Sequence, residues 1–345
     1  MRPNNELKLH FVNVNHGDCT IIEFPDFGSP AVHFGVVDFG AKLGADRALP
    51  RDYMQALIDV RRDTDPTLDY VIDFVCVSHP HDDHYGGLNR FLAAFADPQN
   101  RQNNKISRYW DCGFWTTASR YNQALATIRD NVNITFTRVS SGAEYEFGEA
   151  RVTVLAPSID LRNRYDTYGI NRNNASVVLR IKFRNSYAII AGDAQFASWG
   201  KTTEEFPRQR RIEFFSDALG FAAREDTSDQ LKCNVLRVSH HGSKHGTSLE
   251  YLERVDPDHV VIPAGSQPWY TQNIPEWVGY FPHRLTDTIF DVLVDPNNRH
   301  VTGARGNIIF KYNGGWTPRQ ISYVTERADS ANFTAALAAQ WDQTA

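Results

Sequence analysis

The segment Asp73–Gly87, DFVCVSHPHDDHYGG, constrains this chain more than any other. Its first part, Asp73–Ser78, is a short apolar run with β-branched residues, the pattern of a strand buried on both faces. Its second part sets His79, His81, Asp83 and His84 within six residues. Imidazole nitrogens and carboxylate oxygens are good ligands for zinc, manganese or iron. In a loop leaving a strand, His79 and His81 can point the same way while Asp83 and His84 aim at a neighbouring point. Two sub-sites about 3.5–4 Å apart would then form, the spacing of two-metal hydrolases.

Two later segments supply further donors. Ser186–Ala191 reads as an apolar strand and runs into Gly192-Asp193, where the glycine permits a tight turn and the carboxylate is placed to bridge two ions. Cys233–Val238 is another apolar strand and runs into Ser239-His240-His241-Gly242-Ser243. One histidine of that pair is expected to complete the second metal site. Spacing does not decide which, and His240 is favoured.

The remaining chain supports one mixed α/β domain. With 41% hydrophobic and 12% aromatic residues over 345 positions, it can bury a sizeable core, which excludes wholesale disorder. Strands are expected at Leu7–Val14, Cys19–Phe24, Val32–Asp38, Ile134–Arg138, Arg151–Leu155, Ser176–Phe183, His259–Pro263, Asn307–Tyr312 and Gln320–Val324. Helical spacing points to Pro50–Arg62, Leu88–Ala96, Ser119–Asp130, Leu285–Val294 and Ala331–Trp341. The domain is expected to run over 1–325, with a C-terminal helical appendage over 326–345. Segments at about 97–118 and 200–230 read as surface insertions.

Composition narrows the function classes. The formal charge of -5 leaves no global basic field for holding nucleic acid non-specifically. The four cysteines lie far apart with no CxxC pair, which argues against a thiolate zinc site or a disulfide scaffold and for a reducing compartment. The first residues lack the apolar core of a signal peptide, and no apolar stretch of about 18 residues is present. A cytoplasmic location without a membrane segment is the expectation; the sequence sets no oligomeric state.

Taken together, these motifs resemble the metallo-β-lactamase fold superfamily, and within it the hydrolase domain of ComEC-type DNA-internalisation proteins and their free-standing relatives. Val14-Asn15-His16-Gly17-Asp18 stands where that branch has a VGQGD-like turn, and Val37-Asp38-Phe39-Gly40 where it has a D-x-G turn. SHPHDDHYGGL, the Asn174–Leu179 strand, AGDA and LRVSHHGS follow in order. The resemblance implies an α/β (α+β) fold, a four-layer αββα sandwich with metals at one edge between the sheets. It implies two divalent metal ions, zinc foremost with manganese the alternative. His79 and His81 would hold metal one; Asp83, His84 and a histidine of the 240–241 pair metal two; Asp193 would bridge. Many members place a third histidine on metal one before the bridging aspartate, but this chain has no histidine between His84 and His240. In the ComEC-like branch an Asn-x-Ser element occupies that interval, so Asn174 or Asn173 becomes a candidate to approach metal one or its water.

The expected chemistry is hydrolysis by a metal-activated water, with the cations neutralising charge on the attacked group. Asp83 would orient that water or accept its proton. His241, Lys244 and His245 are the candidates for protonating the leaving group, with His283 a weaker one. The leading substrate is a phosphodiester, in nucleic acid or a nucleotide, with Arg162, Arg164 and Arg172 as nearby cations and the aromatic residues of 109–121 as stacking candidates. A lactone, thioester or β-lactam on the same site is the alternative, and a metal-stabilised binding protein without catalysis the third reading.

Overall fold

Alternation along the first strand sets the layers. In β1 (Leu7–Phe11), Leu7, Leu9 and Phe11 face one way and Lys8 and His10 the other, and both faces are buried. A computed structural model of the chain describes residues 6–15, 17–25, 28–29, 31–40, 49–162, 171–217, 220–265, 284–312 and 321–326. From β1 the chain continues through β2 (Thr20–Phe24), β3 (Ala31–Val37), helix α1 (Leu49–Thr64) and β4 (Asp69–Val77). Then come the single turn α2 (Asp82–Tyr85), α3 (Leu88–Phe95), β5 (Arg108–Asp111), α4 (Ser119–Asp130) and β6 (Thr135–Arg138). The second half opens with β7 (Glu144–Phe147), β8 (Ala150–Ala156), the turn α5 (Ile159–Arg162), β9 (Val178–Phe183), β10 (Ser186–Ile190) and α6 (Phe196–Glu205). It closes with β11 (Gln209–Asp217), β12 (Gly220–Ser228), β13 (Val235–Arg237), α7 (Leu249–Val255), β14 (His259–Ile262), α8 (Arg284–Leu293), β15 (Arg299–Val301), α9 (Thr302–Arg305), β16 (Asn307–Tyr312) and β17 (Ile321–Glu326).

Among the described residues these strands form two large sheets, in the orders β17-β16-β1-β2-β3-β4-β5-β6 and β15-β14-β13-β10-β9-β8-β7. Three apolar layers lie in and around them. Between the sheets, Leu9, Phe24, Phe74 and Trp110 meet Val152, Leu179, Ala188 and Val261. On the outer face of the first sheet, Met54 and Leu57 of α1, Phe91 of α3 and Tyr121 of α4 cover Val36 and Val75. On the outer face of the second, Trp199 of α6, Leu252 of α7 and Phe290 of α8 cover Ile189, Leu236 and Ile262. The result is the four-layer αββα sandwich. β4 shows why its sequence is a continuous apolar run: Phe74 and Cys76 point between the sheets while Val75 and Val77 point to the helices.

Parallel pairing then assembles the site. β3 through β6 run parallel in one sheet, as do β10, β13, β14 and β15 in the other. The ends of β4, β10 and β13 meet at one edge of the sandwich. There Val177 N donates to Ser78 O at 2.9 Å, tying the second sheet to the end of β4, and His240 N donates to Gly192 O at 3.1 Å, joining the ends of β13 and β10 within the second sheet.

One of the two segments read as insertions contributes to the first sheet. Residues 97–118 contain β5, whose Tyr109 and Trp110 are fully buried, with the Trp110 indole stacked 3.9 Å from the Phe74 ring. Four residues, RYWD, are too few for a strand period to be legible. Residues 200–230 hold most of α6 and an antiparallel ribbon, β11 with β12, that joins neither large sheet. The helix expected over Ala331–Trp341 lies outside the described residues. No helix among the described residues is long and apolar enough to cross a membrane.

Candidate metal centre

Two turns from the N-terminal strands hold the HPHDDH loop from below. Asp18 N donates to Asp83 O at 3.0 Å, Gly40 N donates to Asp18 O at 2.7 Å, and Phe39 N donates to His84 O. A Cβ on Gly40 would collide with Asp83 O and Asp18 N, so only glycine lets the three backbones close this tightly. Asp38, in the left-handed region at φ 63°, aims its buried carboxylate up into the loop. It accepts from Ser78 N at 2.7 Å, Ser78 Oγ at 2.8 Å and His84 Nδ1 at 2.9 Å.

The donor atoms gather around Asp193, which is 1% exposed. Gly192, at φ 51°, makes the turn that delivers it, with Asp193 N donating to Ser176 Oγ at 3.0 Å. His84 Nε2 lies 3.3 Å and His241 Nε2 3.9 Å from Oδ1; His79 Nε2 lies 3.8 Å and His240 Nε2 3.7 Å from Oδ2. Asp83 Oδ2 stands 3.2 Å from His241 Nε2 and 3.9 Å from His84 Nε2. His81 Nδ1 is 2.8 Å from His79 Nε2. Two compact donor groups result, His79-His81-Asp193 and Asp18-His84-Asp193-His241. Within the second, Asp18 pairs with the buried guanidinium of Arg237 and meets His84 at Nδ1, the far side of the ring, at 3.4 Å. Asp83, which approaches Nε2, is the better fourth donor.

Hydrogen bonds to the far ring nitrogens fix the tautomers. His84 Nδ1 donates to Asp38, and His241 Nδ1 donates to Pro263 O at 2.7 Å, so that both Nε2 atoms face Asp193. Burial opposes charge on His84, but the carboxylates of Asp193, Asp38 and Asp83 outweigh it and raise its affinity for a proton. Burial, then the charge of His84, holds the His79 ring neutral, the form that binds metal. Burial works against ionising Asp193, yet His84, His241 and His240 push its carboxyl well below the usual range. Ionised carboxylates facing oriented imidazoles, with a proton on His84 that a cation would displace, fit a divalent cation with nitrogen and oxygen preference.

The structure therefore brings together His79, His81, Asp83, His84, Asp193, His240 and His241. Lys244 is half-buried and His245 exposed, on the loop that follows the histidine pair, with the His245 ring edge-on to exposed Phe196 at 6.2 Å. Asn173, not Asn174, faces the histidines: its Nδ2 is 3.3 Å from His240 Nε2, whereas Asn174 Oδ1 accepts from Ser198 N at 3.1 Å in the first turn of α6. Arg172 is exposed; burial, then the charge of His84, lowers the proton affinity of His81, and the charge of Arg172 adds to this. Arg162 instead donates to Val139 O and covers Gly113. Arg164 and His283 lie outside the described residues. Asp38, Asp18, Arg237 and Gln195 had no place in the expected site. The first two stood in the turn motifs, where the adjacent glycines were the available signal.

A buried histidine–carboxylate cluster at one edge of an αββα sandwich is a candidate centre for metal ions. The sequence profile of the metallo-β-lactamase superfamily matches residues 36–265, two thirds of the chain, and the chain belongs to that superfamily. No curated protein matches the sequence. Solved structures similar to the chain include a mutant of CmlA, a β-hydroxylase from Streptomyces venezuelae (TM-score 0.45, 14% identity, covering 93% of this chain and 54% of that one). Others are the metallo-β-lactamase fold protein YhfI from Bacillus subtilis (0.46, 11%, 89% and 100%) and yeast PDE1 (0.43, 12%, 86% and 96%). The chain spans about half the length of CmlA.

Proposed function

We propose that this chain hydrolyses phosphodiester bonds, in nucleic acid or a nucleotide, with two divalent ions, zinc first among them. The observation that carries the two-metal reading is Asp193, a buried carboxylate with histidine nitrogens 3.3 Å from one oxygen and 3.8 Å from the other. In this reading His79 and His81 would hold the first ion, Asp83, His84 and His241 the second, and Asp193 would serve both. When bound, the ions supply a water of lowered pKa and positive charge for the attacked group.

The protein residues do the rest. Asp83 is the most open of the acidic donors, its side chain 28% exposed, and can orient the water or take its proton. Asp38 and Pro263 hold the far ring nitrogens of His84 and His241, so that each Nε2 is turned toward Asp193. Exposed His245 and half-buried Lys244, on the loop that follows the histidine pair, are the candidates for giving a departing alkoxide a proton or a positive charge. Arg172, whose charge acts on His81, is a further cation. Cations of this kind favour an anionic ester over a neutral lactone or thioester, and the resemblance to the ComEC-type hydrolase domain points the same way.

The test is turnover of bis(p-nitrophenyl) phosphate with zinc and manganese in turn, with Asp83→Ala in parallel. Metal-dependent turnover lost in the variant is expected. Bound metal with no turnover on this or any nucleic-acid substrate would overturn the phosphodiester reading.

A further inference from the structure

The histidine pair is built in a way that one metal position alone does not require. His240 and His241 are consecutive non-glycine residues in the left-handed region, at φ/ψ of 50°/46° and 54°/23°. Such backbone is disfavoured for any residue with a Cβ and is kept where surrounding structure imposes it. Its effect is to fan two adjacent rings across a single carboxylate. His241 Nε2 faces Asp193 Oδ1, the oxygen nearest His84, while His240 Nε2 faces Oδ2, the oxygen nearest His79. The two rings thus stand on opposite sides of the bridge.

The surroundings of His240 carry a second sign. Gln195 Nε2 lies 2.9 Å from its Nδ1 and Asn173 Nδ2 3.3 Å from its Nε2, while the buried Asn173 Oδ1 has no hydrogen-bond partner. A neutral imidazole has one acceptor nitrogen and one donor, so it cannot accept from both amides. Amide orientation is the adjustable element. Turning Gln195 lets Nδ1–H donate to Oε1 and leaves the Nε2 lone pair directed at the Asp193 side. Turning Asn173 brings its orphan oxygen to the same place. Both adjustments suit a cation there.

We propose that His240 is the third imidazole of the first metal position, so that the two adjacent histidines serve different ions. This rests on the two-metal reading above. It supplies the donor that the interval between His84 and His240 lacks. His240 stands outside the compact His79-His81-Asp193 group, so its ring turns inward when an ion binds. Gln195 is then a positioning residue, acting through Nδ1.

The test compares the parent chain with His240→Ala, His240→Gln and His241→Ala, after checking each by circular dichroism and thermal melting. Zinc stoichiometry and affinity are read by chelator competition, and anomalous scattering from crystals grown with zinc shows where each ion sits. In both His240 variants the ion beside Asp83 and His84 stays, and affinity for the one beside His79 and His81 falls at least about ten-fold. His241→Ala gives the opposite pattern. The glutamine variant decides if the alanine variant does not fold. A parent with two ions and His240 variants that keep both affinities overturns this inference alone. A parent that binds no zinc overturns the two-metal reading with it.

Discussion

Replacing Asp38 by Asn tests how far the centre depends on a residue that touches no donor atom facing Asp193. The carboxylate accepts three hydrogen bonds, from Ser78 N, Ser78 Oγ and His84 Nδ1, at 2.7–2.9 Å. Asparagine keeps the shape but has a single acceptor oxygen. Ser78 N still needs that oxygen, and Ser78 Oγ can reverse and accept from the new amide. His84 Nδ1 cannot reverse without carrying its proton on Nε2, the atom 3.3 Å from Asp193 Oδ1. The variant therefore loses one charge-assisted hydrogen bond, worth about 1.5–3 kcal/mol of stability. It also holds His84 in a tautomer that opposes metal, which lowers affinity by about 10–100-fold. Chemical denaturation of metal-depleted protein reads the first quantity, and competition against a fluorescent zinc chelator reads the second. An Asp38→Asn protein that binds zinc within two-fold of the parent would refute the tautomer argument, whatever its stability.

Two other consequences follow from features away from the donor atoms. Gly192→Ala places a Cβ 2.9 Å from Ser78 Cβ and 3.0 Å from Ser176 Cβ at a φ of 51°, so a loss of about 2–4 kcal/mol is expected by urea denaturation, together with weaker metal binding as Asp193 shifts. A loss below about 0.5 kcal/mol would show that the turn is slack. Lys8 is buried between β1 and α1, and burial, then the charge of Arg61, lowers its pKa to about 7. The unfolded chain holds that proton up to about pH 10.4, so between pH 7 and 8.5 the unfolded state binds more protons and stability rises with pH. The rise is about 1.5 kcal/mol at most, since neighbouring Glu6, 3.6 Å away, favours the charged form. Above that window the buried cysteine thiols, pushed up by burial, act in the opposite direction. Lys8→Met should flatten the slope measured by urea titration across this range, and an unchanged slope would locate the effect elsewhere.

Much of the architecture was legible because it is local. α4 follows its helical spacing over Ser119–Asp130, and β16 its apolar run over Asn307–Tyr312, since periodicity records which face is buried. β5 escaped notice because four residues carry no period, and β11 with β12 because nothing in their pattern ties them to a core. The donors of His79–His84 were equally plain, since four candidate ligands within six residues of a strand end must share one loop.

By itself, then, the sequence determined a buried strand ending in a ligand-bearing loop, and the acidic and histidine turns that end two later strands. Tertiary structure decided how those donors divide. It put Asp38, forty residues upstream of Ser78, against the back of His84, turned Asn173 to the site and Asn174 to α6, and set His240 and His241 on opposite sides of Asp193. The physical reason is directional. Residue type and spacing say which atoms a turn offers. Where each ring nitrogen points depends on left-handed backbone and on hydrogen bonds to strands far away in the chain.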